Sequence, residues 1–180
     1  MPCRLFTQAI DDAAQLFEQL LESQPDSRKY KLNLAISYIN NGKVDEGVKL
    51  LYELNYKFPA DVNIKRALAW GFLYTGQLEK AVKLYAEIIA DESASAVDYL
   101  NAGYSSWFDK RVGEAAQRFA DYLLKLKKDS ADAATENNLS SNALLEKFQE
   151  DLLLLAKYGI SEVEMRLMAD ISTRNSHNKN

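Results

Sequence analysis

The side chains that could carry out acid–base, nucleophilic or metal chemistry are few in this sequence. His177 is the only histidine and lies in a polar C-terminal stretch, and Cys3 is the only cysteine, so no metal-ligand spacing or internal disulfide is present. The acidic pairs Asp11–Asp12 and Asp45–Glu46 stand at the starts of predicted helices, where carboxylates stabilise the helix dipole. We therefore expect a protein that is not an enzyme and that holds no cofactor or metal.

Charge and hydropathy narrow the class of partner. The chain carries 22 Lys and Arg against 26 Asp and Glu, with a net charge of -4 and the two signs mixed, so no basic face for nucleic acid is predicted. Its longest apolar run, Leu152 to Ala156, is too short to insert in a membrane, and its N-terminus lacks the apolar run of a secretory signal. We expect a cytoplasmic protein, although a longer parent protein could differ.

The predicted helices that would position a binding site recur along the chain. Three segments align without gaps at a constant period and begin at Arg28, Val62 and Ala96. Each predicts two amphipathic helices, A and B, with small residues where the helices cross. In the first segment the pattern residues are Leu34, Ala35, Tyr38, Gly42, Gly47, Leu51, Leu54 and Pro59. The third segment departs most from the pattern, since Ser106, Lys110 and Lys127 replace the expected aromatic, turn Gly and closing Pro.

This pattern resembles the tetratricopeptide repeat. The resemblance implies an all-α fold, a right-handed superhelix (an α-solenoid) of about three and a half helix-turn-helix repeats with C-terminal capping helices. We expect residues 1–27 to supply helix B of a partial repeat, so that the chain is either a fragment of a longer array or begins with a half-repeat cap. Three whole repeats follow at 28–61, 62–95 and 96–129, then capping helices at 130–171 and a disordered tail at 172–180.

The capping region itself carries local signals. Leu144, Phe148 and Leu155 share one side of a predicted long helix that ends at Gly159. Ser161 and Glu164 have the spacing of a capping box, which predicts the start of a last helix. We expect these helices to cover the open end of the third repeat.

The resemblance also implies where a ligand binds, because the A helices of this family line a concave groove. Carried onto this sequence, the groove positions include Asn33, Ile36, Asn40, Asn63, Arg66, Trp70, Tyr74, Asn101, Tyr104, Trp107 and Phe108. Five of them are aromatic, and an exposed wall of rings would be an apolar patch typical of a binding surface. The alternative is that some rings pack between A helices or under the C-terminal helix.

Three functions remain open at this point. The first is a protein–protein interaction module that binds a peptide or helical segment of a partner in this aromatic-lined groove. The second is a structural scaffold that self-associates through the exposed ends of the solenoid, and the third is a secretion-type chaperone. The clamp by which some members of the family hold a peptide carboxylate is absent, because Leu32, Ala67 and Val97 stand at three of its positions.

Overall fold

The computed structural model describes residues 4–129 and 141–178, with the side chains described from residue 13 onward, and within these ranges it is built of ten α-helices. The helices are α1 Arg4–Ser23, α2 Arg28–Asn40, α3 Val44–Lys57, α4 Val62–Thr75, α5 Leu78–Ile89, α6 Ala96–Phe108, α7 Val112–Asp129, α8 Ser141–Glu150, α9 Leu152–Lys157 and α10 Glu162–His177. No described residue lies in a strand. The chain divides into two compact units, Met1–Leu84 and Tyr85–Asn180.

In the first unit, helices that follow one another in sequence pack side by side. α2 lies against α1 and α3, and α4 lies against α3 and α2. The close approach of α2 and α3 depends on Gly47, because a Cβ there would stand 2.7 Å from the carbonyl oxygen of Ala35. Leu51, Leu54 and Ile64 complete the buried side of this packing.

The starts of the A helices in this unit are fixed by side-chain caps. The hydroxyl of Ser27 accepts a hydrogen bond from the Tyr30 amide, and the carboxylate of Asp61 accepts from the amides of Asn63 and Ile64. Asp61 also pairs with Arg28 at 3.1 Å. This ion pair ties the beginning of α2 to the beginning of α4.

In the second unit, α6 packs on α7, and α10 packs on both α7 and α8. The interior is rich in aromatic side chains, with Phe119 and Phe148 fully buried between the helices. Their rings meet edge to face at 5.1 Å between centroids, a geometry favoured by the ring quadrupoles. The predicted capping box is confirmed at the start of α10, where Ser161 and Glu164 bond to each other's backbone.

Two expectations about the C-terminal part are wrong. The predicted long helix is interrupted at Asp151, which lies between α8 and α9, so that Phe148 and Leu155 belong to different helices. The tail from Ser172 is not disordered through residue 177, because α10 continues to His177. Its polar side chains bond to the helix's own carbonyls, as the Ser172 hydroxyl does to Met168 at 2.7 Å, and this lets a polar sequence be buried. Residues 130–140 and 179–180 lie outside the described ranges.

Candidate functional site

An open groove lies between the A helices α2 and α4 of the first unit. It encloses about 290 Å³, and its lining is mainly apolar. The lining residues are Leu32, Ile36, Ile39, Asn40, Asn63, Arg66, Ala67 and Trp70. Five of the residues that the sequence predicted for a binding groove are thus brought together: Ile36, Asn40, Asn63, Arg66 and Trp70.

The spacing of these residues along the two A helices explains why they meet. Leu32, Ile36 and Ile39 stand three and four residues apart on α2, and therefore share one side of that helix. On α4 the same spacing brings Arg66 and Trp70 to one side, with the small side chain of Ala67 leaving room between the helices. The groove is a direct consequence of repeating one helix pattern at a constant period.

The apolar part of the groove has a solvent-facing wall and an aromatic end. Ile36 is 38% exposed, although it is a large aliphatic side chain. Trp70 is half-buried, and its ring meets the ring of Tyr74 edge-on at 5.4 Å. An apolar side chain that enters this space would remove both Ile36 and Trp70 from water.

Polar groups stand at the rim of the same groove. The Arg66 guanidinium donates to the Asn63 side-chain oxygen at 3.3 Å, which holds both side chains beside the opening. Asn40 is exposed on the opposite helix. Amide side chains both donate and accept hydrogen bonds, so this rim can bind the backbone of an extended or helical segment.

Two predicted residues of the first unit are not part of the groove lining. Asn33 is half-buried on α2, and its carbonyl oxygen accepts a bond from the Ser37 hydroxyl at 2.9 Å. Tyr74 supports the groove indirectly, by contact with Trp70. Leu32, Ile39 and Ala67 complete the lining.

The three rings predicted for the third repeat lie in the interior of the second unit. Tyr104, Trp107 and Phe108 are at most 4% exposed, so the expectation that they form an exposed wall is wrong. Phe148 of α8 lies 5.3 Å from Trp107, and Tyr158 stacks on Phe108 at 4.0 Å. The C-terminal helices therefore cover the side of α6 that the repeat pattern would leave open.

Polar contacts at this covered side are also internal. The Tyr104 hydroxyl donates to the Asp151 carboxylate at 2.8 Å, and its pKa is raised by burial and further by Asp151. Asn101 is half-buried beside the hydroxyl of Tyr85, whose pKa is raised by burial. Of the eleven predicted residues, the four from the third repeat thus belong to the packing of the second unit.

The fold and the groove define a helical-repeat protein of the kind that typically binds other proteins. The family model described as "Tetratricopeptide repeat" matches residues 8–71, which include all the residues of the groove. The resemblance to the tetratricopeptide repeat seen in the sequence is confirmed over these residues. No curated protein matches the chain.

Two solved structures share the fold of the chain. MamA MSR-1 C2 superposes with a TM-score of 0.62 at 15% identity, over 96% of this chain and 90% of that one. A mutant form of MamA superposes with a TM-score of 0.59 at 17% identity, over 93% of this chain and 88% of that one. The predicted all-α repeat fold is confirmed by this likeness.

Within residues 4–129 and 141–178, no group of three or more His, Cys, Asp and Glu side chains is placed to hold a metal ion. Among the helices that the structure describes, none has the length and apolar character needed to cross a bilayer.

Proposed function

We propose that the groove between α2 and α4 binds a peptide or helical segment of a partner protein, and that one large apolar side chain of that segment enters it. The observation that carries the proposal is the open apolar space of about 290 Å³ lined by Ile36 and Trp70. Its volume lies at the lower end of the range of ligand pockets, which suits a single anchoring side chain.

The composition of the groove supports this size of ligand. Aliphatic side chains of α2 form one wall and Trp70 forms the other, so an entering Leu, Met or Phe would contact apolar atoms on both sides. Tryptophan is the residue type most enriched at the energetic centre of protein interfaces. Asn40, Asn63 and Arg66 stand where the backbone of the same segment would pass.

A selection experiment on the whole protein tests the proposal. Displayed random peptides of about 12 residues, a length that covers a helical or extended recognition segment, are selected for binding and then titrated by fluorescence anisotropy. The proposal expects peptides with one essential large apolar residue, whose affinity falls about tenfold or more with Trp70→Ala or Ile36→Asp.

The control for this experiment is Tyr56→Ala, since Tyr56 is 88% exposed on α3 and lies outside the groove. It should leave the affinity of the selected peptides unchanged. Selected peptides that bind Trp70→Ala and Ile36→Asp as tightly as the unchanged protein would show that the groove is not the binding site.

A further inference from the structure

A B helix of this fold has two apolar sides, as α3 shows. Gly47 faces α2 of the same repeat, because a Cβ added there would stand 2.7 Å from the Ala35 carbonyl oxygen. The next residue, Val48, faces α4 of the following repeat, where a Cβ added at Gly71 would stand 2.7 Å from its Cγ2. Consecutive residues of a helix point about 100° apart, so α3 meets its two A helices with two neighbouring sides.

The side of α3 that faces α2 is buried, and so is the same side of the other two B helices. It consists of three residues that are spaced four and three apart and therefore lie together on the helix. In α3 they are Gly47, Leu51 and Leu54, and in α7 they are Ala115, Phe119 and Tyr122. All six are buried, as are their equivalents in α5. Gly103 of α6 comes so close to this side of α7 that a Cβ would lie 2.5 Å from the Phe119 ring.

Helix α1 has the same three positions one period earlier but does not bury them. They are Ala13, Phe17 and Leu20. All three are half-exposed, and the partial burial of Phe17 includes contact with the Tyr30 ring at 6.5 Å. Ala14, which stands one period before Val48, is only 4% exposed, and α2 packs on α1. The side of α1 toward the following A helix is thus covered as in the other repeats, whereas its other apolar side is not.

Leu16 extends this uncovered side of α1. It is 52% exposed, whereas Leu50 and Leu84, at the same position of α3 and α5, are half-buried. Covering these apolar side chains with a further helix would remove them from water, which is favourable. In α3 and α7 the helix that packs on this side is the A helix of the same repeat, so the molecule itself shows which kind of helix fits.

The A helices share a pattern on the side that meets their B helix. A small residue is followed four positions later by a large apolar one, and both are buried. The pairs are Ala35 and Ile39, Ala69 and Leu73, and Gly103 and Trp107. In α2 both members lie against Gly47, since a Cβ there would be 2.7 Å from the Ala35 carbonyl oxygen and 2.7 Å from Cγ1 of Ile39.

We propose that the uncovered side of α1 binds a helix of a partner protein that carries this A-helix pattern, and that the bound helix completes a repeat with α1. Its small residue lies over Phe17, as Gly103 lies over Phe119 in the third repeat. Its large apolar residue lies beside Ala13, as Ile39 lies beside Gly47 in the first. The interaction uses none of the residues of the groove between α2 and α4 and does not depend on a ligand there.

A second copy of the chain is a poor source of such a helix. The small residues that would have to face Phe17 are Ala35, Ala69 and Gly103, and all three are buried in their own copy. A second copy would have to open one of its repeats to supply an A helix, and would lose the packing that this repeat makes. A partner that presents the pattern on an accessible helix loses nothing of this kind.

The test uses the whole protein and a displayed library of helical peptides of 14 residues, the length of α4. Two positions four residues apart are varied among Gly, Ala, Leu and Glu, with Leu fixed directly before the first of them. Selection should enrich Gly or Ala at the first position and Leu at the second. In fluorescence anisotropy, replacing the small residue of a selected peptide by Leu should weaken binding about tenfold or more, because the larger side chain meets Phe17.

A matched pair of protein variants locates the peptide on α1. Ala13→Arg places a long side chain where the peptide helix must approach closely, and it should weaken binding about tenfold or more. Gln15→Arg adds the same charge at an exposed position two residues further on, on the opposite side of α1, and should leave the affinity unchanged. Circular dichroism checks that both variants are folded, and the substitution in the peptide tests the same contact without altering the protein.

Three results would overturn the proposal. The first is a selected pool without an excess of small residues at the first position, or one that binds the Ala13→Arg and Gln15→Arg proteins equally well. The second is a loss of binding in Trp70→Ala, which would place the peptides in the groove between α2 and α4. The third is a dimer in sedimentation velocity that is lost in Ala13→Arg, which would assign this side of α1 to a second copy.

Discussion

Ile36, Trp70 and Tyr104 occupy the same position in three successive repeats, because each stands one period after the last, but their environments differ. Ile36 and Trp70 line the open groove of the first unit, whereas Tyr104 is completely buried in the second. The same holds one turn further along the A helix, where Asn40 is exposed and Phe108 is buried. A position in the repeat fixes the side of the helix that a side chain occupies, but it does not fix whether that side meets water.

The difference arises from helices outside the repeats. Phe148 of α8 lies within 6.0 Å of the Tyr104 and Trp107 rings, so α8 supplies the apolar surface that a ligand would supply in an open groove. In the first unit, the structure places no such helix among the residues that line the groove. The covered side of α6 therefore has aromatic contacts and one polar bond, from Tyr104 to Asp151, at its edge.

The largest expected effect separates the two tryptophans. Trp107 is buried between Phe119 and Phe148, so Trp107→Ala should lower the free energy of unfolding by about 3–5 kcal/mol. Trp70 is only half-buried at an open groove, and Trp70→Ala should cost about 1–2 kcal/mol. Urea denaturation followed by circular dichroism measures both, with hydrogen exchange to assign the loss to a unit.

The control for this comparison is again Tyr56→Ala, which should change the free energy of unfolding by less than about 0.5 kcal/mol. If the two tryptophan substitutions lowered the free energy of unfolding equally, Trp70 would be as closely packed as Trp107. The groove between α2 and α4 would then not be open, and Trp70 would not be available to a ligand.

The architecture of the repeats could be predicted from the sequence because it depends on local and periodic signals. Helices α2, α4 and α6 begin at Arg28, Val62 and Ala96, at the constant spacing seen in the sequence. The capping box of Ser161 and Glu164 is likewise a signal contained within one helical turn. Such features follow from residue types at fixed offsets and need no knowledge of distant contacts.

The sequence predicts that C-terminal helices cover the third repeat, but it does not predict which rings they bury. That depends on contacts such as the one between Trp107 and Phe148, which are far apart in the chain. The break at Asp151 is also hidden, because Leu152 to Leu155 continue the apolar pattern past it. Burial set by distant packing overrides the local pattern at both places.

A smaller effect is expected from two tyrosine–carboxylate pairs, one in each unit. Tyr104 donates to Asp151 at 2.8 Å inside the second unit, and Tyr38 donates to Glu18 at 2.7 Å near the surface of the first. Tyr104→Phe should cost about 1–2 kcal/mol at neutral pH, since it removes a bond to a charged group in a dry site. Tyr38→Phe should cost less than about 0.5 kcal/mol, because water replaces an exposed bond.

The pH dependence of the first pair has a defined sign. The pKa of Tyr104 is raised above its ordinary value, so the folded protein keeps this proton longer than the unfolded chain does. The protonated Tyr104 hydroxyl therefore contributes fully to the free energy of unfolding below about pH 10. This contribution is lost as the pH rises further, by up to about 1.4 kcal/mol per pH unit. Urea denaturation at about pH 9 and pH 11 should show a smaller loss for Tyr104→Phe than for the unchanged protein.

Tyr38 allows the same pH test on a tyrosine hydroxyl that lies near the surface. The bond to Glu18 raises the pKa of Tyr38 to about 12, with burial as a lesser cause, so its contribution has the same sign and the same alkaline window. Because solvent screens this pair, Tyr38→Phe should alter the pH dependence less than Tyr104→Phe does. If Tyr38→Phe altered the pH dependence of stability more than Tyr104→Phe did, the Tyr104–Asp151 pair would not be the more buried of the two.

The smallest expected effect concerns the turn between the A and B helices of the third repeat. Lys110 has a φ of 64°, in the left-handed region, at the position where the first two repeats have Gly42 and Gly76 with φ of 79° and 72°. A side chain in this region costs about 1 kcal/mol, and the relief that glycine brings is partly offset by its greater freedom in the unfolded chain. Lys110→Gly should therefore raise the free energy of unfolding by about 0.5 kcal/mol.

Charge must be separated from backbone strain at this position. The pKa of Glu164 is lowered mainly by its hydrogen bonds with Ser161 and to a smaller extent by the positive charge of Lys110. Lys110→Ala removes the charge but keeps a Cβ in the left-handed conformation, so it should not stabilise the protein. If Lys110→Ala stabilises as much as Lys110→Gly, the gain does not come from the turn. If only Lys110→Gly raises the free energy of unfolding, the turn of the third repeat differs from the other two turns by backbone strain. At Tyr104, by contrast, the third repeat differs because α8 covers the ring.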